Sequence, residues 1–154
     1  MKIALKYGLL ITAVVVVWIV VVRLWLGRGN GPAGQIISAA LFNLAAIFAI
    51  YRGMKERKRN LNGSLSFKDG VKTGMGISLV YAISACLFFI IEFAIAGPKL
   101  LLSEAGPQTG PLWQVAAMAY AGLFFGSLIF GLIYSTLIAF FLARRLSKDS
   151  TEII

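Results

Sequence analysis

Few side chains in this sequence belong to the types that catalyse reactions or bind metal ions. The 154 residues include no histidine and one cysteine, Cys86, which lies within an apolar run. Zinc and copper sites are built from imidazole and thiolate ligands, and Ser-His-Asp or Cys-His catalysis needs a histidine. The acidic residues form no pair within the apolar segments. The sequence therefore predicts a protein that is not an enzyme and that holds no metal and no cofactor.

One carboxylate, Glu92, lies inside a long apolar segment, about one helical turn before its end. Arg23 has a matching position near the end of the first apolar segment, so the sequence predicts an intramembrane ion pair between the two. Ionisable groups at membrane depth often mark ion or proton pathways. Two interpretations stay open. In the first, Glu92 is the coupling carboxylate of a small transporter. In the second, the Arg23 side chain extends its charge to the headgroups, and Glu92 is either paired or hydrated.

An amide lies near the middle of the second apolar segment. We expect Asn43 to form a hydrogen bond to another helix, with Ser84, Tyr81 or Ser135 as its partner. Such bonds contribute only about 0.6–2 kcal/mol in membranes, so a structural role for this interhelical polar residue is favoured over a functional one.

Small residues at four-residue spacing predict where the helices pack, because helices in lipid associate where small side chains let their backbones approach closely. The third apolar segment contributes Gly74, Ser78, Ala82 and Cys86, and the fourth contributes Gly122, Gly126, Ser127, Gly131, Ser135 and Ala139. We predict that the two sets pack against each other, for example with Ala82 near Ser135. The alternative is that Gly122 and Gly126 join two copies of the chain.

The formal net charge of +9 comes mainly from basic residues that lie close to the apolar segments. The densest group follows the second apolar segment and consists of Arg52, Lys55, Arg57, Lys58 and Arg59. Such a cluster can indicate nucleic-acid binding, but its position beside an apolar segment favours contact with anionic lipid headgroups. We therefore expect membrane lipids as partners and no nucleic acid.

The elements that position these residues are predicted from four long apolar segments. The chain is 59% hydrophobic and 14% charged, and its mean hydropathy is +0.86, whereas soluble domains average about 25% charged residues. A helix crossing a membrane needs about 20 apolar residues, and we place the spans at about 7–26, 32–51, 73–96 and 112–142. The prediction is one all-α transmembrane domain over residues 1–154, a four-helix bundle with a basic loop over 52–72.

The distribution of the basic residues predicts the orientation of the bundle. Lysines and arginines flank the first span at its start, fill the 52–72 segment and follow the fourth span at Arg144, Arg145 and Lys148. The positive-inside rule then places both termini and the basic loop in the cytoplasm. Ser66 and Asp69 are spaced as a capping box that begins the third helix before the membrane. Tyr7 is expected at the inner membrane interface.

Three sequence segments together resemble a known bacterial membrane family, domain of unknown function 4199. They are ALKYG at positions 4–8, NGSLSFKDGVKTG at 62–74, and GSLI at 126–129 with LIA at 137–139 and a following RR at 144–145. The middle segment is the most specific of the three. The chain departs from the family pattern at Gly70, where alanine is expected. The resemblance implies a four-span membrane protein and transfers no activity and no site residue.

These observations predict a multi-pass protein of the bacterial inner membrane that acts without catalysis, as an accessory or scaffold subunit in a homo-oligomer or a larger membrane complex. The alternative is an oligomeric small transporter or channel that uses Glu92 as its coupling group. Four spans are few for a transport pathway within one chain, so that alternative requires oligomerisation.

Overall fold

The computed structural model describes residues 2–25, 32–97 and 110–144. Within these ranges every regular element is a helix, and there is no strand. The helices are α1 (Lys2–Trp25), α2 (Pro32–Asn60), α3 (Phe67–Ala96) and α4 (Leu112–Arg144). Each of the four is long and apolar enough to cross a membrane. The predicted all-α bundle of four membrane-length helices is therefore confirmed.

The basic segment between the second and third spans, predicted as a loop over 52–72, is mostly helical. Helix α2 continues to Asn60 and α3 begins at Phe67, which leaves only residues 61–66 as a connection. Arginine, lysine and glutamate are good helix formers, and positive charge in the last turn interacts favourably with the helix dipole. The turn closes with a hydrogen bond from the backbone N–H of Gly63, whose φ is +87°, to the Lys58 carbonyl.

The start of α3 is capped as the sequence predicts. The Ser66 hydroxyl oxygen accepts a hydrogen bond from the Asp69 backbone N–H at 3.1 Å. The same hydroxyl donates to the Asp69 carboxylate at 2.6 Å, whereas in the usual capping box the cap's backbone N–H donates to that carboxylate. This local arrangement fixes where α3 begins, about a turn before the residues that pack in the bundle.

Helix α3 occupies the centre of the arrangement. It packs most extensively against α4 and also contacts α1 and α2. Helix α2 contacts the other three helices, whereas no close backbone approach joins α1 and α4 within the described ranges. Seen along its axis, the bundle therefore has a rhomboid cross-section. Helices α2 and α3 lie close together across its short diagonal, and α1 and α4 lie apart at the ends of its long diagonal.

The core lies towards one end of the bundle. This basic end consists of the first residues of α1 and α3 and the last residues of α2 and α4, and the most deeply buried apolar side chains cluster near it: Tyr7, Ile11, Ala49, Ile50, Met54, Leu65, Ile77 and Ala139. Tyr7 is only 8% exposed, so its ring packs inside the bundle, and its position at the inner membrane interface stays a prediction. Towards the opposite end of α2, Ile36 is 70% exposed. The helices are therefore packed most tightly at the basic end.

Candidate functional site

A polar cluster joins α1 to α2 at the basic end. The Lys6 ammonium lies 2.7 Å from a Glu56 carboxylate oxygen, and the Tyr7 hydroxyl donates a hydrogen bond of 2.8 Å to the same oxygen. The Lys6 nitrogen also lies 5.0 Å from the centre of the Tyr7 ring, within the range of a cation–π contact. One carboxylate of α2 therefore holds two neighbouring side chains of α1.

Sequence reasoning did not identify Glu56 as part of a site. It lies 50 positions from Lys6, inside a run of basic residues where an acidic side chain resembles ordinary surface charge balance. A usable signal is present in the topology. The start of α1 and the end of α2 must meet if the two helices are antiparallel neighbours, and Glu56 is the acidic residue of that end.

The five basic residues predicted to contact anionic lipid have different environments. Arg52 has its guanidinium 5.7 Å from the centre of the Phe48 ring on the same helix. Lys58 donates a hydrogen bond of 3.4 Å to the backbone carbonyl of Leu142. This bond lies at the end of α4, where carbonyl groups lack helical partners and a cation is favourable. Lys58 therefore contacts another helix, whereas Arg52 is exposed and its contact lies within α2.

The other three basic residues of the group remain on the outside of α2. Lys55, Arg57 and Arg59 are all exposed. Arg57 differs from the other two because it also lines a cavity at the basic end. The sequence does not show this difference, because it depends on which face of α2 turns towards α1 and α3.

The cavity at the basic end has a volume of about 590 Å³ and lies between α1, α2 and α3. Lys2, Arg57 and Lys72 contribute three positive charges to its lining, one from each helix, and Asp69 contributes one negative charge. A second cavity, of about 410 Å³, is lined by apolar residues of α1 and α2. Neither lining includes Glu92.

Close backbone contacts join α3 and α4 at two predicted packing glycines. A methyl group placed on Gly74 would lie 2.7 Å from the Ser135 side-chain Cβ and would also collide with the Ser135 hydroxyl. A methyl group on Gly131 would collide with the side chain of Ser78. Both serines are buried, at 3% exposure for Ser78 and 0% for Ser135. Each helix therefore places a glycine opposite a serine of the other.

Gly70 makes a third close contact in the same seam. A methyl group there would lie 2.7 Å from the Ala139 Cβ, closer than real side chains approach. The contacts of Gly70, Gly74 and Ser78 follow one antiparallel register, in which each step of four along α3 matches four back along α4. Extending that register places Ala82, which is fully buried, opposite Ser127. The predicted proximity of Ala82 to Ser135 is therefore wrong by two helical turns.

The remaining small residues of the predicted seam are less tightly enclosed. A methyl group on Gly122 or Gly126 would meet no atom within 4 Å in the described part of the chain, beyond the neighbouring turns of its own helix. The Ser127 hydroxyl donates to the Leu123 carbonyl of its own helix at 2.6 Å. The Cys86 sulfur lies 4.0 Å from the Tyr120 carbonyl oxygen of α4. The tight part of the seam is thus its half near the basic end.

Asn43 does connect two helices, although through a residue that the sequence did not indicate. Its side-chain oxygen accepts a hydrogen bond of 2.5 Å from the Tyr134 hydroxyl of α4, and its nitrogen donates to the Ala39 carbonyl at 2.7 Å. The predicted partner Ser84 instead lies 2.6 Å from the Thr12 hydroxyl of α1. Among the described residues, neither Tyr81 nor Ser135 forms a hydrogen bond to the amide. Asn43 therefore couples α2 to α4.

The predicted pairing of Glu92 with Arg23 stays a prediction, because the side chain of Arg23 lies outside the described residues. Glu92 is half-buried on α3, 18 residues beyond Gly74. At a rise of 1.5 Å per residue, this separation is about 27 Å along the helix. Glu92 therefore lies far from the polar residues of the basic end. The basic residues Arg145 and Lys148 of the C-terminal segment also lie outside the described residues.

The comparisons with known proteins give one finding. A family model described as "Protein of unknown function (DUF4199)" matches residues 6–144, which include nearly all of the four helices. No curated protein matches the chain, and no solved structure matches it.

Proposed function

Since the chain belongs to the DUF4199 family, whose members are described only as proteins of unknown function, we propose its role from its own geometry: it is a non-enzymatic accessory or scaffold subunit of a bacterial inner-membrane complex. A scaffold in this sense holds other membrane components in place through a rigid bundle. The proposal concerns the chain as a multi-pass membrane protein, which its four membrane-length helices support.

The observation that carries the proposal is the closed seam between α3 and α4. Gly74 meets Ser135 and Gly131 meets Ser78 with no space for a further side-chain carbon. Helices at this separation leave no room for a water-filled path between them along the seam, and backbone approach of this kind stabilises a fixed helix pair in lipid. A helix pair closed in this way is suited to holding a fixed shape at the basic end.

The proposed location and orientation rest on where the structure collects positive charge. Lys2 and Lys6 of α1, the last turns of α2 and Lys72 of α3 all lie at the basic end. Under the positive-inside rule, this end faces the cytoplasm. Reporter fusions test the orientation. A periplasmic phosphatase fused after position 63 is expected to be inactive and one fused after position 106 active, and the reverse pattern would overturn the orientation.

Purification of the full chain from its native membranes tests the proposed role. Cells are cross-linked before solubilisation in a mild detergent, so that loss of a subunit in detergent is controlled for. Quantitative mass spectrometry is expected to recover a larger membrane assembly at a constant ratio to this chain, and a tag on the partner should recover the chain at the same ratio. Repeated recovery of this chain alone from cross-linked cells would contradict the role of accessory subunit.

A second candidate function is an oligomeric transporter, which one observation favours. Glu92 is a half-buried carboxylate within the membrane-length part of α3, and such residues commonly serve ion pathways. Proteoliposomes containing the chain are assayed for proton and cation flux with Glu92→Gln, and with Glu56→Gln as the matched control at the basic end. Flux lost only in Glu92→Gln would favour the transporter. Equal flux in both variants and the unmodified chain would exclude Glu92 as a coupling group.

A further inference from the structure

We propose that the cavity at the basic end is a binding site for the phosphate-bearing headgroup of an anionic phospholipid. The inference rests on the proposed membrane location, and it goes beyond it by replacing diffuse attraction to lipid with one defined site. The cavity has a volume of about 590 Å³, and its lining comes from the start of α1, the end of α2 and the start of α3. No single helix contains the site, so it exists only in the folded bundle.

The charges that line the cavity match a phosphate group. Lys2, Arg57 and Lys72 belong to three different helices and converge on one space. Two other cations of the basic end have partners elsewhere. Lys6 is paired with the Glu56 carboxylate, and Lys58 donates to the Leu142 carbonyl. Phosphate prefers arginine and lysine donors, and basic pockets between membrane helices on the cytoplasmic side bind anionic headgroups.

The acidic residue of the lining does not cancel this charge. Asp69 contributes one carboxylate against three cations, and one of its oxygens accepts the Ser66 hydroxyl at 2.6 Å. The Thr73 hydroxyl donates to the Asp69 backbone carbonyl at 2.7 Å, so that hydroxyl is already used as a donor. The Asn60 amide, at the end of α2, is a further donor of the lining. The net character of the cavity is therefore cationic and rich in donors.

The apolar part of the lining favours a lipid over a free phosphate ion. Ile3, Ala4 and Gly76 form part of the cavity wall, and a methyl group on Gly76 would lie 3.4 Å from the Ala4 Cβ, so α1 and α3 converge there. Gly76 lies nine residues after the first residue of α3, or about 14 Å along the helix. A polar rim that gives way to an apolar wall at this depth matches a headgroup followed by its glycerol and acyl carbons.

Native mass spectrometry of the full-length protein in detergent tests the site. The protein is mixed with phosphatidylglycerol or with phosphatidylcholine of the same acyl chains, and the retained lipid is counted per chain. One molecule of phosphatidylglycerol is expected to be retained in preference to phosphatidylcholine. Arg57→Gln and Lys72→Gln should each weaken this retention about fivefold, the effect of losing one charge near an anionic headgroup. Lys55→Gln removes the same charge from an exposed position of α2 and should change retention less than twofold.

Three results would overturn the proposal. Equal losses in Arg57→Gln, Lys72→Gln and Lys55→Gln would show diffuse attraction to the basic surface. Equal retention of the two lipids would show that the headgroup charge is not recognised. Displacement of phosphatidylglycerol by millimolar inorganic phosphate would assign the cavity to a soluble phosphate compound. In contrast to Arg57→Gln, Arg57→Lys keeps the positive charge and should retain phosphatidylglycerol nearly as well as the unmodified protein. None of these results depends on a protein partner, so failure of the lipid site is distinguishable from failure of the accessory role.

Discussion

The tightest contact of the α3–α4 seam predicts a large difference between two chemically identical substitutions. Gly74→Ala and Gly122→Ala each add one methyl group to a glycine within a membrane-length helix. At Gly74 the added carbon would lie 2.7 Å from the Ser135 Cβ and 2.7 Å from the Met54 Cε. At Gly122 it would meet no atom within 4 Å in the described part of the chain, beyond adjacent turns.

The expected size of the difference follows from two contributions. Replacing glycine by alanine within a helix gains about 1 kcal/mol of helix propensity, and this gain is common to both variants. Overpacking a well-packed contact typically costs about 1–3 kcal/mol. The Met54 methyl is the end of a flexible side chain and can move, whereas the Ser135 Cβ is fixed to the backbone of α4. The free energy of unfolding of Gly74→Ala should therefore be about 1–3 kcal/mol below that of Gly122→Ala.

Reversible unfolding in bicelles or mixed micelles measures this difference. Adding Ser135→Gly to Gly74→Ala removes the opposing side chain and should recover most of the loss, with a coupling energy of about 1–3 kcal/mol in the double-mutant cycle. Ser135→Gly alone supplies the cost of a helical glycine at that position. Equal stability of Gly74→Ala and Gly122→Ala, or a coupling energy near zero, would refute the reasoning that these backbones are in direct contact.

Three further predictions concern contacts that α4 makes with its neighbours. The buried Ser135 hydroxyl has no hydrogen-bond partner among the described residues, so Ser135→Ala should raise the free energy of unfolding by about 1 kcal/mol; a loss of similar size would show a hidden partner. Tyr134→Phe should lower it by about 0.6–2 kcal/mol, and the effect should vanish in an Asn43→Ala background because the two groups share one bond. In a chain without its native cysteine, cysteines at Ala82 and Ser127 should cross-link on oxidation, while cysteines at Ala82 and Ser135, about 12 Å out of register, should not; the opposite yield would move the register.

Local features of the fold could be predicted from the sequence because they depend on neighbouring residues. The cap at Ser66 is set by Asp69 three positions later, and two hydrogen bonds join the two residues. The end of α2 was predicted less well. A span ends where apolar residues end, but a helix can continue into a charged segment whose residues favour it, and α2 does so to Asn60.

The contacts between helices could not be predicted to the same degree. A soluble helix shows its inward face by an apolar stripe, whereas a helix in lipid is apolar on its outward face as well. Four-residue spacing therefore indicates that α3 and α4 have packing surfaces, but it does not give the register of one helix against the other. For this reason the sequence alone pairs Ala82 with Ser135, whereas the structure places it opposite Ser127. For the same reason, Asn43 was assigned to Ser84, Tyr81 or Ser135 although its partner is Tyr134.

The number of helices, their membrane length and the end at which positive charge collects all follow from the order of apolar and basic residues in the chain. They do so because lipid leaves backbone groups no partner outside a helix, and because charge avoids the apolar interior. The contacts of Glu56 with Lys6 and Tyr7, and the cavity that Lys2, Arg57 and Lys72 line, are visible only in the folded bundle. Those arrangements depend on the rotation and depth of each helix relative to its neighbours, and residues 50 or more positions apart carry no local pattern that specifies them.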